Sequence, residues 1–357
     1  MQSVIPNPLS AFSDAGIARI LIVDDSVVAR AVISRMLDAS ERFVIAGAVA
    51  DAQAALSFLQ KNEVDIILLD IEMPGVDGLT ALPDIIAAGR GARVLIVSSS
   101  CAEGAAASIQ ALTLGAADTL VKPNTGNLVG KFADVLEEKL TRLIDGGERI
   151  PGPIAPYVHS TALADDFDIV AIGASTGGIH ALSLLLRAIP ASCQLPILIT
   201  QHLPPSFMPY FAAQVAVLAG RPCVVATDHM RIERGRVVIA PGEAHLRCVS
   251  VGEGAALRLT SERSATGCMP SVDPMFQTVA DVYGSRALAI VLSGMGRDGT
   301  DGARQINRVG GTVIVQDQTS SVVWGMPGSV ASTGIADAVL APDEIGRIIA
   351  QQRRPQR

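Results

Sequence analysis

The chain has 357 residues, 49% of them hydrophobic, and a mean hydropathy of +0.40, which is enough apolar material for a large core and, at this length, predicts two domains. The formal net charge is −7, with no basic run and only 3% aromatic residues, so we expect no nucleic-acid partner. No apolar stretch could cross a bilayer, and the first twenty residues lack a signal-peptide pattern, so we expect neither membrane insertion nor secretion.

The first part of the chain, residues 17–144, alternates short apolar runs with segments of helical spacing. Continuous apolar strands that alternate with helices are typical of a parallel sheet covered on both faces. This pattern predicts a doubly wound α/β domain whose last helix covers about 128–144. The predicted strands are at 20–23, 43–46, 66–69, 94–97 and 120–121.

A change of character follows at residues 145–166, which carry prolines and glycines without periodicity, so we interpret them as a linker. A second α/β series covers 167–352 and predicts a Rossmann-like domain with a parallel sheet. Its apolar runs are at 169–172, 197–199, 224–225, 237–239, 288–292 and 313–315.

The cysteines are odd in number and form no CxxC pair, a usage that favours reduced thiols in a cytoplasmic protein over a disulfide framework or a zinc site. They are at positions 101, 193, 223, 248 and 268.

Charged and hydroxyl side chains follow the predicted strands of the first domain. Asp24 and Asp25 follow the first strand, Asp70 the third, Ser98 the fourth and Lys122 the fifth. Because the carboxyl ends of parallel strands meet at one edge, these side chains converge there. Clustered carboxylates repel one another without a cation, and oxygen ligands suit Mg²⁺. The alternative is that each acid is solvated or caps a helix.

These motifs resemble the receiver domain of two-component response regulators. The matching residues are Asp24-Asp25-Ser26, the run from Asp70 to Gly78, Ser98, and Lys122-Pro123. The resemblance implies that Asp70 is the phosphoacceptor, that Asp24, Asp25 and Asp70 hold Mg²⁺, and that Ser98 and Lys122 contact the phosphoryl oxygens. It also implies a histidine kinase as phosphodonor.

The second domain opens with Gly-Ala-Ser-Thr-Gly at 173–177, which fits the GxSxG nucleophile-elbow pattern. The following helix start could equally form a phosphate cradle, and Ser175 or Thr176 could simply cap that helix. The motif alone leaves the three alternatives open.

A serine nucleophile needs a base and an acid that orients it. His202 directly follows a parallel-type strand and should reach the same edge as Ser175. Asp298 lies in a glycine-rich loop after another buried strand, with Asp301 as a nearby competitor. The order serine, histidine, acid disfavours an α/β-hydrolase, in which histidine comes last, although triad chemistry does not depend on order.

The second domain resembles the catalytic domain of the chemotaxis protein-glutamate methylesterases, the CheB family. The matching stretches are 173–178, Gln201-His202, 239–242, 270–273, 294–299 and 316–327. The resemblance implies Ser175 as nucleophile, His202 as base and Asp298 as orienting acid. The backbone near Met295, supported by Thr176, would bind the oxyanion, with no cofactor in the esterase site.

The resemblance further implies the substrate and its control. The substrate would be glutamate methyl esters on the cytoplasmic helices of chemoreceptors, which are hydrolysed to release methanol, and the same machinery would deamidate glutamine. We expect phosphorylation of Asp70 to relieve inhibition by the first domain. Rival functions are an effector domain that binds phosphate or a nucleotide, switched by the first domain, and a hydrolase of some other ester.

Two positions depart from the patterns of these families. Thr119 stands where receivers often have an aromatic residue, so we do not expect an aromatic rotamer switch. Cys268-Met269 stands where the methylesterases usually have His-Arg, close to their substrate. The second departure bears on receptor preference and leaves the proposed triad unchanged.

Overall fold

The computed structural model of the chain describes residues 17–98, 102–122, 129–145, 154–158 and 167–351. The chain divides into two compact units, Met1–Asp145 and Gly146–Arg357. Among the described residues, no helix has both the length and the apolar character needed to cross a membrane. Of the predicted linker, 146–153 and 159–166 lie outside the described residues.

The first unit is a five-stranded parallel sheet with a helix after each strand. The strand order is β2-β1-β3-β4-β5, the arrangement of a doubly wound sheet. Its elements are β1 (Ala18–Val23), α1 (Val27–Leu37), β2 (Phe43–Val49), α2 (Ala52–Leu59), β3 (Ile66–Asp70), α3 (Gly78–Ala88), β4 (Arg93–Ser98), α4 (Ala102–Leu114), β5 (Asp118–Val121) and α5 (Val129–Asp145).

Local chemistry explains where the first three helices begin. Each follows a residue whose side-chain oxygen accepts a backbone N–H of the first turn, as expected of an N-cap. Ser26 accepts from Ala29, at 3.2 Å, and Asp51 and Asp77 cap α2 and α3 in the same way. The five predicted strands are all present, and the apolar runs of the strands β1, β3 and β4 are buried between the two helical layers.

The second unit contains a mostly parallel eight-stranded sheet and a separate hairpin. Its elements are β6 (Tyr157–Val158), β7 (Ile169–Ala174), α6 (Gly178–Arg187), β8 (Ile197–Gln201), α7 (Met208–Ala219), β9 (Cys223–Val225), β10 (Val237–Ile239), β11 (His245–Val251), β12 (Gly254–Thr260), α8 (Val272–Tyr283), β13 (Ala287–Val291), α9 (Thr300–Arg308), β14 (Thr312–Gln316), α10 (Gly325–Ala331), β15 (Ala338–Leu340) and α11 (Pro342–Ala350).

The large sheet has the order β6-β15-β14-β13-β7-β8-β10-β9, and β6 is its antiparallel strand. After β7 the chain places β8, β9 and β10 on one side of β7, and β13 then pairs with the other side. The crevice at the carboxyl ends of β7 and β13 is therefore a topological switch point, where ligands bind in open α/β sheets. Strands β11 and β12 form an antiparallel hairpin that the apolar runs did not predict.

Part of the predicted linker belongs to this sheet instead. Tyr157 and Val158 pair with Val339 and Ala338 at the sheet edge, and the Tyr157 hydroxyl donates to the Ala336 carbonyl at 3.0 Å. A two-residue strand is too short to show periodicity, so pattern alone could not separate it from a linker.

Candidate active site and phosphoacceptor site

The carboxyl edge of the first sheet brings two buried acids and a lysine together. Lys122 Nζ lies 2.7 Å from Asp70 Oδ2 and 3.0 Å from Asp24 Oδ2. The backbone N–H of Ser26 donates to Asp24 Oδ1 at 2.8 Å, and that of Glu72 donates to Asp70 Oδ1 at 3.2 Å. The predicted cluster therefore forms, with its charges held by backbone donors and one ammonium group.

Burial and charge act in opposite directions on this cluster. Burial raises the pKa of Asp70, Lys122 opposes the rise, and the charge of Asp24 adds to it. Burial alone would lower the pKa of Lys122, but hydrogen bonds and ion pairs with Asp70 and Asp24 raise it. The site thus carries more negative charge than its one lysine can balance.

The donor set fits a magnesium ion. Asp24, Asp25 and Asp70 can each offer a carboxylate oxygen, and these atoms lie within 4.8 Å of one another. Asp24 Oδ2 is buried and accepts no well-aligned hydrogen bond, although it lies within ion-pair distance of Lys122. A buried, under-satisfied oxygen among carboxylates is the chemistry that hard divalent cations complete.

The remaining receiver residues are placed as follows. Ser98 ends β4 and is fully buried, and its Oγ accepts a hydrogen bond from Ser108 Oγ at 2.9 Å. Thr119 is a buried residue of β5. Pro123 lies outside the described residues.

In the second unit, Ser175 sits in a tight turn between β7 and α6. The turn needs glycine at 177, where φ is +75° and a β-carbon would come within 2.5 Å of Val322 Cβ. Helix α6 begins at Gly178 with Gly177 as its N-cap and has no side-chain cap, so neither Ser175 nor Thr176 caps it. The simple capping interpretation is therefore wrong.

His202 is brought beside Ser175 by strand pairing. Ala174 and Gln201, the last residues of β7 and β8, are paired in parallel register, so Ser175 and His202 follow directly on neighbouring strands. The His202 backbone N–H donates to the Ala174 carbonyl at 3.1 Å. Ser175 Oγ makes no hydrogen bond with His202 among the described residues, and such contacts are commonly long without substrate.

His202 contacts the predicted acid. Its Nε2 lies 2.8 Å from Asp298 Oδ2, and in this orientation Nδ1 is the ring nitrogen left for the serine. Asp298 is only 1% exposed, against 17% for the histidine side chain. The competitor Asp301 is exposed and pairs instead with Arg304. The tertiary structure thus distinguishes two acids that the sequence left as competitors.

Asp298 also acts as a cap for α8 from a different loop. Its Oδ2 accepts the Val272 N–H at 2.7 Å, and its Oδ1 accepts the Ser271 hydroxyl at 2.6 Å and the Gly299 N–H at 3.1 Å. Burial would raise the pKa of Asp298, but the bond to His202 and these donors hold it below its usual value. The acid therefore stays ionised beside the histidine, at the positive end of a helix.

Backbone donors suited to an oxyanion lie in the loops that flank Ser175. The Ser175 N–H is used in a bond to the Ser293 carbonyl, at 3.0 Å. Within the described parts of the chain, the N–H groups of Thr176 and Met295 donate to no protein acceptor. A β-carbon at Gly294 would lie 2.8 Å from Ser175 Cβ, so glycine is needed for this close approach.

Sequence reasoning missed three supporting residues. Ser271, buried at the start of α8, holds Asp298, and its own N–H donates to Nδ1 of buried His245 at 2.9 Å. Gln201 Nε2 donates to the Ser175 carbonyl at 3.0 Å. Gln201 and Ser271 lie in two of the stretches that match the methylesterases, 201–202 and 270–273, and this position was the available signal.

The other histidines lie elsewhere. His180 is within α6, His229 is exposed beside Asp228 with φ +63°, and His245 begins β11 in the interior. His159 lies outside the described residues. His202 is therefore the one histidine of the described chain that contacts Asp298.

Comparisons with known proteins agree with both halves of this arrangement. The family of the CheB methylesterase matches residues 170–349, and the response regulator receiver domain matches 20–132. The crystal structure of the Thermotoga maritima CheB methylesterase catalytic domain superposes with a TM-score of 0.51 at 34% identity, covering 52% of this chain and 98% of that one. The fold and these matches define a hydrolase coupled to a response-regulator receiver domain.

Full-length relatives give the family. A protein-glutamate methylesterase/protein-glutamine glutaminase of Paramagnetospirillum magneticum is 38% identical, covering 92% of this chain and 94% of the relative. One of Caulobacter vibrioides is 39% identical, covering 94% of this chain and 99% of the relative. The chain belongs to the CheB methylesterase family.

Proposed function

We propose that the chain hydrolyses glutamate methyl esters of chemoreceptors to glutamate and methanol, and glutamine side-chain amides to glutamate and ammonia. The observation that carries the proposal is the contact between His202 Nε2 and buried Asp298 Oδ2, beside the strand end that presents Ser175. The names of the full-length relatives, protein-glutamate methylesterase/protein-glutamine glutaminase, support the two substrates.

In the proposed mechanism, His202 Nδ1 takes the proton of Ser175 Oγ as that oxygen attacks the ester carbonyl. The N–H groups of Met295 and Thr176 stabilise the oxyanion, and Asp298 stabilises the imidazolium. The tetrahedral intermediate collapses, and His202 gives its proton to the departing methanol. His202 then activates a water that cleaves the acyl-enzyme, which restores the serine and leaves a carboxylate.

We assign the receiver role to residues 17–144, the linker role to 145–166 and the catalytic role to 167–352, with Tyr157–Val158 as an edge strand of the catalytic sheet. Two observations support this division, the family matches and the separation of the chain into two units. The position of Asp70 at the end of β3 supports its role as phosphoacceptor.

In the first unit, a phosphodonor such as a histidine kinase transfers its phosphoryl group to an Asp70 oxygen. Asp24, Asp25 and Asp70 would hold Mg²⁺, which when bound neutralises negative charge at the reacting phosphoryl group. Lys122 offers a second positive charge, and Ser98 a hydroxyl, to the phosphoryl oxygens. We expect phosphorylated Asp70 to raise the esterase rate.

The test is methanol release from methylated receptor membranes, with and without acetyl phosphate. We expect release from the wild type and none from Ser175→Ala. For Asp298→Asn we expect a fall in kcat of about 10³–10⁴-fold, because the amide favours the wrong histidine tautomer. Asp301→Asn is the matched control, since that exposed acid does not contact His202, and it should keep the wild-type rate.

Regulation is read in the same assay. Asp70→Ala should keep the basal rate and lose only the response to acetyl phosphate. Release that is unchanged in Ser175→Ala contradicts the nucleophile assignment. Anion binding without hydrolysis, unaffected by His202→Ala, would support the phosphate-binding effector domain instead.

A further inference from the structure

A thiol lies next to the proposed catalytic pair. Cys268 Sγ, a ring nitrogen of His202 and a carboxylate oxygen of Asp298 all lie within 4.8 Å of one another. Cys268 is partly buried, and its carbonyl accepts the Ser264 hydroxyl at 2.9 Å, which helps to fix its loop. The sequence does not predict this cluster, because His202 and Asp298 are 96 residues apart and Cys268 lies between them.

The three donors differ in chemical type from those of the first unit. Thiolate, imidazole and carboxylate are the ligands of zinc and similar divalent transition metals, whereas the carboxylates near Asp70 suit Mg²⁺. Bond lengths of 2.0–2.3 Å around tetrahedral zinc place its ligand atoms about 3.5 Å apart. The separations among Cys268, His202 and Asp298 are close enough for small side-chain movements to reach that geometry.

We propose that Cys268, His202 and Asp298 form an inhibitory site for Zn²⁺ or a similar metal ion, with solvent as the fourth ligand. Metal binding displaces the Cys268 thiol proton to solvent, and the metal takes the lone pair of His202 Nε2. The single imidazole proton then resides on Nδ1, so one proton is released for each metal bound. A protonated Nδ1 cannot accept the proton of Ser175, and hydrolysis stops.

This site goes beyond the proposed esterase function, and its binding test does not depend on activity. The probe is Co²⁺, added to the full-length protein with excess Mg²⁺ to fill the carboxylate site of the first unit. Thiolate bound to Co²⁺ gives a charge-transfer band in the near ultraviolet that oxygen ligands do not give. We expect this band in the wild type and in Ser175→Ala, with displacement by Zn²⁺.

The matched variants are Cys268→Ser and Cys193→Ser, since Cys193 is also partly buried but is outside the cluster. The band should disappear in Cys268→Ser and remain in Cys193→Ser. In ester hydrolysis, each protein is compared with its own metal-free rate. Half-inhibition of Cys268→Ser should need at least about tenfold more Zn²⁺ than the wild type, because one of three protein ligands is lost.

The proposal is overturned if no band forms, if the band survives in Cys268→Ser, or if it is lost equally in Cys193→Ser. It is also overturned if Zn²⁺ inhibits the wild type and Cys268→Ser alike. A wild type without esterase activity would contradict the proposed function alone, because the Co²⁺ spectrum still decides whether the metal site exists.

Discussion

Ser271→Ala tests whether the buried serine at the start of α8 positions the proposed acid. Its hydroxyl donates to Asp298 Oδ1 at 2.6 Å, and the residue is fully buried. A hydrogen bond to a charged group contributes about 1.5–3 kcal/mol. Because the Gly299 N–H remains on the same oxygen, we use the lower value, which corresponds to a fall of about tenfold in kcat.

The assay is steady-state hydrolysis of a glutamate methyl ester, with thermal unfolding measured alongside. A positioning role lowers kcat and leaves KM unchanged, and Ser271→Thr, which keeps the hydroxyl, should recover most of the rate. Ser183→Ala is the matched control, because it removes a buried hydroxyl that donates to the His180 carbonyl within α6, away from Asp298. A kcat within twofold of the wild type, or a change confined to KM, would refute the positioning role.

Three further predictions concern charge and packing. Burial raises the pKa of Asp273 from 3.8 to about 7. The folded protein therefore gains stability from the protonated carboxyl group below about pH 4, and this gain, up to about 4 kcal/mol, is lost as the pH rises through 7. The free energy of unfolding of Asp273→Asn, measured in urea, should therefore equal that of the wild type near pH 4 and exceed it at pH 8. Asp281→Asn, which removes an exposed acid of the same helix, is the control. A pH dependence that is unchanged in Asp273→Asn would contradict the reasoning. Lys122→Gln removes the cation from two buried carboxylates. It should lower Tm without Mg²⁺ but increase the rise in Tm when Mg²⁺ is added. An equal rise in both proteins argues against direct compensation of the carboxylate charges by Lys122. Gly294→Ala places a β-carbon 2.8 Å from Ser175 Cβ and should lower the free energy of unfolding by about 1–3 kcal/mol and also lower kcat. A wild-type kcat in this variant would show that the loop moves to accommodate the added carbon.

Much of the fold follows from local pattern. Each apolar run predicted as a strand is a strand, because a parallel sheet buries both faces and so requires continuous apolar sequence. Parallel strands also bring residues at their carboxyl ends to one edge, which is why the sequence alone pointed to Asp70, Ser175 and His202. The hairpin of β11 and β12 was not predicted because its strands mix buried and exposed positions, and the strand at Tyr157 was not predicted because it has only two residues.

The choice of acid and its surroundings depended on the tertiary structure. Asp298 lies in the loop before α9 and Asp301 three residues later in the first turn of that helix, and only the packing of the loop against α8 places Asp298 on His202. The same packing supplies the Ser271 hydroxyl and brings Cys268 beside the pair. Sequence determined which side chains reach the sheet edges, because strand direction is a local property. Contacts between loops far apart in the chain decided which of those side chains meet, because they arise only when the helices and the hairpin pack around the sheet.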